Sequence, residues 1–95
     1  MAQEFVVPAP WARRGWRLKI RDRERVEPPH VTLLYKTRSW RFGLREKAFL
    51  DDDPPERDVP RELVGNLEGR IDEFAVVWDR LYPENPVKSN ESEDV

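Results

Sequence analysis

Trp16, Leu18 and Ile20 alternate with Arg17, Lys19 and Arg21. A period of two puts one set on a buried face and the other in water, so this run is a strand with an apolar side and a basic side. The pattern recurs twice. In His30–Lys36, Val31, Leu33 and Tyr35 share one face and His30, Thr32, Leu34 and Lys36 the other. Further on, Trp40, Phe42 and Leu44 alternate with Arg41, Gly43 and Arg45. The last two runs are joined by the polar Lys36-Thr37-Arg38-Ser39, which predicts a hairpin over 30–45. Gly43 inside the second run marks a bulge or a place of close approach.

A sheet with one apolar face needs a cover, and the second half of the chain supplies it. Leu63, Leu67, Ile71, Phe74, Trp78 and Leu81 recur at helical spacing after Pro60, a residue suited to a first helical turn. One amphipathic helix over about 60–82 is expected, ended by Tyr82-Pro83. Gly65 and Gly69 lie off its apolar stripe, and each costs about 1 kcal/mol relative to Ala. The expected fold is α+β: an antiparallel sheet of about three strands on one C-terminal helix. Residues 1–14, with Phe5-Val6-Val7 before Pro8 and Pro10, read as an irregular arm holding a short edge strand at best. Residues 15–83 read as the single domain, and the polar, acidic 84–95 as a disordered tail.

The 95 residues suit one domain, and 38 % charged residues with nine prolines make its core modest. The absence of cysteine excludes disulfides and thiolate metal sites. With a single histidine, His30, no usual metal site and no cofactor are expected. No secretory-type leader and no run of about 18 apolar residues is present, so a cytoplasmic protein without a membrane span is expected. Charge is uneven: residues 1–50 carry 12 Lys/Arg against 5 Asp/Glu, and residues 51–95 carry 5 against 14. The first half therefore seeks an acidic protein or nucleic acid, or is covered by the acidic half, or simply presents solvated strand faces.

The candidate docking set is Arg17, Lys19, Arg21, Lys36, Arg38 and Arg41, with Trp11 as an aromatic outside the alternation. Arginines neutralise phosphate and rings stack bases, the composition of a single-strand RNA platform. The alternation, however, turns Trp16, Tyr35 and Trp40 toward the helix, leaving Trp11 and Leu34 for the open side. His30 follows two prolines at a strand start. It is a candidate general acid or base, with Arg41 and Arg45 to hold phosphate charge, or else a strand-edge residue bonded to a neighbouring carbonyl. Asp51-Asp52-Asp53 reads as a solvated loop.

The segment Glu27-Pro28-Pro29-His30-Val31 resembles a family of small bacterial proteins of uncharacterised function, marked by a Pro-Pro-His-Val-His-Val strand. There a short strand precedes the motif, and a hairpin and a helix ending in Trp and another aromatic follow. Trp16–Arg21, Trp40–Leu44 and Leu63–Leu81 with Trp78 and Tyr82 match that order over about residues 15–83. Members often occur as toxin–antitoxin components. The resemblance implies a small module that binds a second protein or touches RNA. The family's second histidine is Thr32 here, which weakens catalysis and favours binding. The reading is an interaction module docking a partner protein through its basic hairpin face. The alternative is an RNA-binding or metal-independent RNA-cleaving protein using Arg/Lys and His30.

Overall fold

The computed structural model describes residues 3–21 and 28–87. Five strands, β1 (Gln3–Phe5), β2 (Arg17–Ile20), β3 (His30–Tyr35), β4 (Arg38–Gly43) and β5 (Ala48–Phe49), form one antiparallel sheet in chain order. Two helices follow, α1 (Arg61–Glu68) and α2 (Ile71–Leu81). The α+β expectation stands, with a larger sheet than the three strands anticipated. β1 is the short edge strand that the N-terminal arm allowed, begun two residues earlier than Phe5, and β5, only two residues long, was not anticipated. Part of the expected N-terminal arm is therefore sheet. Phe5 pairs with Leu18, and Val7 is buried in the core.

Register follows the alternation. Leu18 lies opposite Leu33, Leu33 opposite Trp40 and Val31 opposite Phe42, so the apolar side chains share one face. Lys19 and Arg41 both lie opposite Thr32, on the other face. The β3–β4 hairpin is tighter than anticipated: Tyr35 pairs with Arg38, leaving only Lys36 and Thr37 in the turn. Lys36 takes a φ of 57°, the positive value that two-residue hairpins require. Gly43 is not a bulge. It pairs in register with His30 and Ala48, and a Cβ there would meet the side chains of Glu46 and Leu50 of the same chain.

The single helix expected over 60–82 is two helices broken at Gly69-Arg70. Gly69 weakens the helix, and its N–H still closes on the Gly65 carbonyl at 3.1 Å. Arg70 leaves helical geometry, with φ −119° and ψ 19°. Its guanidinium donates to the Val6 carbonyl at 2.7 Å and Asn66 Oδ1 at 2.9 Å. It also grips both Glu73 oxygens at 2.8 and 3.0 Å, and lies 5.2 Å from the Phe74 ring centre. The stripe survives the break: Leu63, Leu67, Phe74 and Trp78 are fully buried.

α2 runs along the sheet from one end to the other. At its start Arg70 holds Val6. Phe74 then meets Phe5 edge-on at 4.9 Å, and Trp78 lies 5.5 Å from His30. At its end the Tyr82 hydroxyl donates to the Arg21 carbonyl. Residues 84–87, the part of the expected disordered tail that is described, are tied down. Trp78 Nε1 donates to the Asn85 carbonyl at 2.7 Å, the Val87 N–H donates to Asp79 Oδ1 at 2.8 Å, and Val87 is buried. The rest of that tail, 88–95, and the loop 22–27 lie outside the described residues.

Candidate functional site

Several basic residues of the sheet are paired with acids of the same chain at its surface. Arg17 pairs with Glu4 and Arg38 with Asp58. Arg41 makes a two-pronged pair with Asp51, Nε to Oδ2 at 2.8 Å and Nη2 to Oδ1 at 2.7 Å. That pair holds the Asp51 carboxyl below its ordinary pKa: the Arg41 hydrogen bond is the largest cause and the Arg41 and His30 charges add to it, while burial works the other way. The 51–53 run is the surface loop expected, with Asp52 and Asp53 exposed, and its leading aspartate is in addition tied to β4 through Arg41. Lys19 is half-buried beside Thr32 and has no ion pair among the described residues. Arg21 is exposed, at the end of the sheet where Tyr82 docks.

The three residues considered for catalysis are not assembled on an open surface. His30 is 1 % exposed. Its Nδ1 lies 3.0 Å from the Pro28 carbonyl, which can only accept, so Nδ1 carries a proton there. This is the strand-edge arrangement weighed from sequence, and its rigidity comes from the two prolines before it. Thr32, where the resembled motif has its second histidine, is also buried. Arg45 turns away from the sheet face to clasp the chain at 85–87. Its Nε donates to the Val87 carbonyl at 2.9 Å, and its Nη2 to the Pro86 carbonyl at 2.5 Å and Asn85 Oδ1 at 3.2 Å.

A different cluster gathers where the 36–37 turn meets the β1–β2 connection. Trp16 stacks on Tyr35, ring centres 4.3 Å apart, and on Trp40 at 5.5 Å. Cations flank the stack: the Lys36 ammonium lies 5.3 Å from the Tyr35 centre and the Arg38 guanidinium 5.2 Å from that of Trp40. The Trp40 indole N–H donates to the Pro55 carbonyl at 3.2 Å, fixing the 51–58 segment against this end. Trp11 belongs here too. Its carbonyl accepts the Trp16 N–H at 3.2 Å, its ring packs half-buried against the core, and Arg14 sits 5.0 Å over it. Trp11 is therefore not on the open sheet face; it caps one end of the sheet.

Sequence reasoning missed this end cluster because Trp11 and Trp16 are brought together by a 3₁₀ turn at Ala12–Arg14, closed by Gly15 at φ 103°. The Arg13-Arg14-Gly15 triplet was the available signal, since glycine after a short polar turn supplies the left-handed residue that ends it. Arg13, Arg14 and Lys36 are exposed at this end and have no ion pair among the described residues. No helix among the described residues is long and apolar enough to cross a membrane. No protein-family model, curated protein or solved structure matches this chain.

Proposed function

We propose that the protein is a small interaction module that docks an acidic partner protein through the hairpin end of its sheet. One observation carries the reading. Arg17, Arg38, Arg41 and Arg45 pair within the chain, whereas Arg13, Arg14 and Lys36 are exposed with no ion pair among the described residues, Arg14 and Lys36 lying over the half-buried rings of Trp11 and Tyr35. Arginine and large aromatics anchor protein interfaces, because they bury much area at modest entropic cost and offer polar contacts at their rims. The motif at Pro28-Pro29-His30-Val31 adds support for a second small protein of the toxin–antitoxin kind as the partner.

The alternative from sequence is RNA cleavage by His30, Arg41 and Arg45. What favours docking over it is burial: a proton shuttle must reach within hydrogen-bond distance of its substrate, and His30 is 1 % exposed with Nδ1 engaged.

The test combines partner capture with RNA binding. The wild type and R13E/R14E/K36E are purified from cells of the source organism with and without nuclease. The docking reading expects one protein to accompany the wild type after nuclease treatment and to be absent from the variant. Recovery of RNA alone, with binding that falls steeply with salt and toxicity that disappears in His30→Ala, would replace it with the nucleolytic reading.

A further inference from the structure

We propose that the open cleft next to this docking end receives an extended acidic segment of the partner, its carboxylates alternating with short apolar side chains. The inference rests on the docking reading and specifies what the partner must offer. The cleft is open to solvent and holds about 590 Å³ between the 3₁₀ turn Glu56–Asp58 and the first turn of α1. Arg57 and Arg61 line it, exposed and without an ion pair among the described residues. Pro60 and Val64 give it aliphatic surface. Asp58 is paired with Arg38, and Glu56 is the acid of the lining that has no ion pair among the described residues.

Two guanidinium groups favour planar carboxylates, which they can grip with paired N–H donors. The aliphatic surface of Pro60 and Val64 suits a small branched side chain. An RNA strand fits less well, because the lining has no aromatic ring to stack a base and Glu56 repels phosphate. The cleft also adjoins the docking end. The Arg38–Asp58 pair and the Trp40 bond to Pro55 fasten the 55–58 segment to the hairpin, so one partner chain can cover both.

The experiment titrates the full chain, at low salt, with a fluorescent peptide of sequence Glu-Val-Glu-Val-Glu-Val, followed by anisotropy and by backbone amide shifts. Inorganic phosphate and oligouridylate serve as the competing chemistries. The proposal expects shifts centred on residues 56–64. Arg57→Ala and Arg61→Ala should each weaken binding about tenfold, as loss of a charged hydrogen bond does, and Glu56→Gln should tighten it. All three side chains are exposed, so the fold is not at issue. Absence of binding, equal shifts from phosphate or oligouridylate, or indifference to both arginine variants overturns it. R13E/R14E/K36E separates the two readings. Peptide binding that fails in this variant but ignores Arg57 and Arg61 removes the cleft and leaves the docking end. Peptide binding that needs Arg57 and Arg61, with partner capture unchanged in R13E/R14E/K36E, removes the docking end and leaves the cleft.

Discussion

Replacing Arg70 with alanine should destabilise the protein well beyond an ordinary surface substitution. Its side chain is only 18 % exposed and binds three separate elements. The bond to the Val6 carbonyl joins β1 to the helical layer, and a charged hydrogen bond of this kind contributes about 1.5–3 kcal/mol. The Glu73 pair is half-exposed on the carboxylate side and adds about 0.5 kcal/mol. The guanidinium over Phe74 adds about 0.5–1 kcal/mol. These contacts share one group and are not additive, so a loss of about 2–3 kcal/mol is expected. For a chain of this size that corresponds to roughly 10–20 °C in Tm.

Thermal and urea unfolding at neutral pH measure the loss directly. Arg70→Lys should recover less than half of it, since an ammonium cannot reach Val6, Asn66 and both Glu73 oxygens at once. The pH dependence gives a second reading. The Arg70 hydrogen bond holds Glu73 below its ordinary pKa, against a smaller opposing effect of burial. A depressed carboxylate contributes stability that is complete above its unfolded value and disappears as pH falls through the folded one. The gap between wild type and Arg70→Ala should therefore narrow below about pH 4.5. A variant that melts within a degree of wild type at neutral pH would show that Arg70 is not the clamp between β1 and the helices.

Asp51→Asn should flatten the acid limb of the stability curve in the same way, because the Arg41 pair depresses Asp51; an unchanged limb between about pH 2 and 4 would contradict this. Arg45→Ala should release residues 85–87 while the sheet persists, seen as faster amide exchange at Val87 and a global loss of about 1–2 kcal/mol. Gly43→Ala should cost about 1–2 kcal/mol, the low end of overpacking, because the atoms nearest the new Cβ are the movable side-chain ends of Glu46 and Leu50, the latter at 2.7 Å; a loss above about 3 kcal/mol would show that this corner cannot yield.

How much of this was legible from sequence depends on distance along the chain. The alternation around Trp16, Leu33 and Phe42 and the stripe from Leu63 to Trp78 are local patterns; the alternation appears in the structure as read, and the stripe does so on two helices instead of one. Gly69 was visible as a weak point, but the break it permits is completed by Arg70 reaching Val6, 64 residues away in sequence. The fate of the arginines was illegible for the same reason. Arg38 meets Asp58 20 residues on and Arg45 meets Val87 42 residues on. A basic face written in the sequence is thus largely neutralised by partners that only the fold supplies. His30 was readable as a strand-start residue, yet its burial depends on Trp78 from α2.

The central claim is that Arg13, Arg14 and Lys36 around Trp11 and Tyr35 form the docking surface. It is tested most directly by isothermal titration of the captured partner against wild type, R13E/R14E/K36E and a matched R17E/R41E control. Charge reversal at Arg13, Arg14 and Lys36 should abolish binding, and the control should retain affinity once its lower stability is allowed for. Undiminished binding by R13E/R14E/K36E, with loss in R17E/R41E, would place the interface on the sheet face instead and contradict the account.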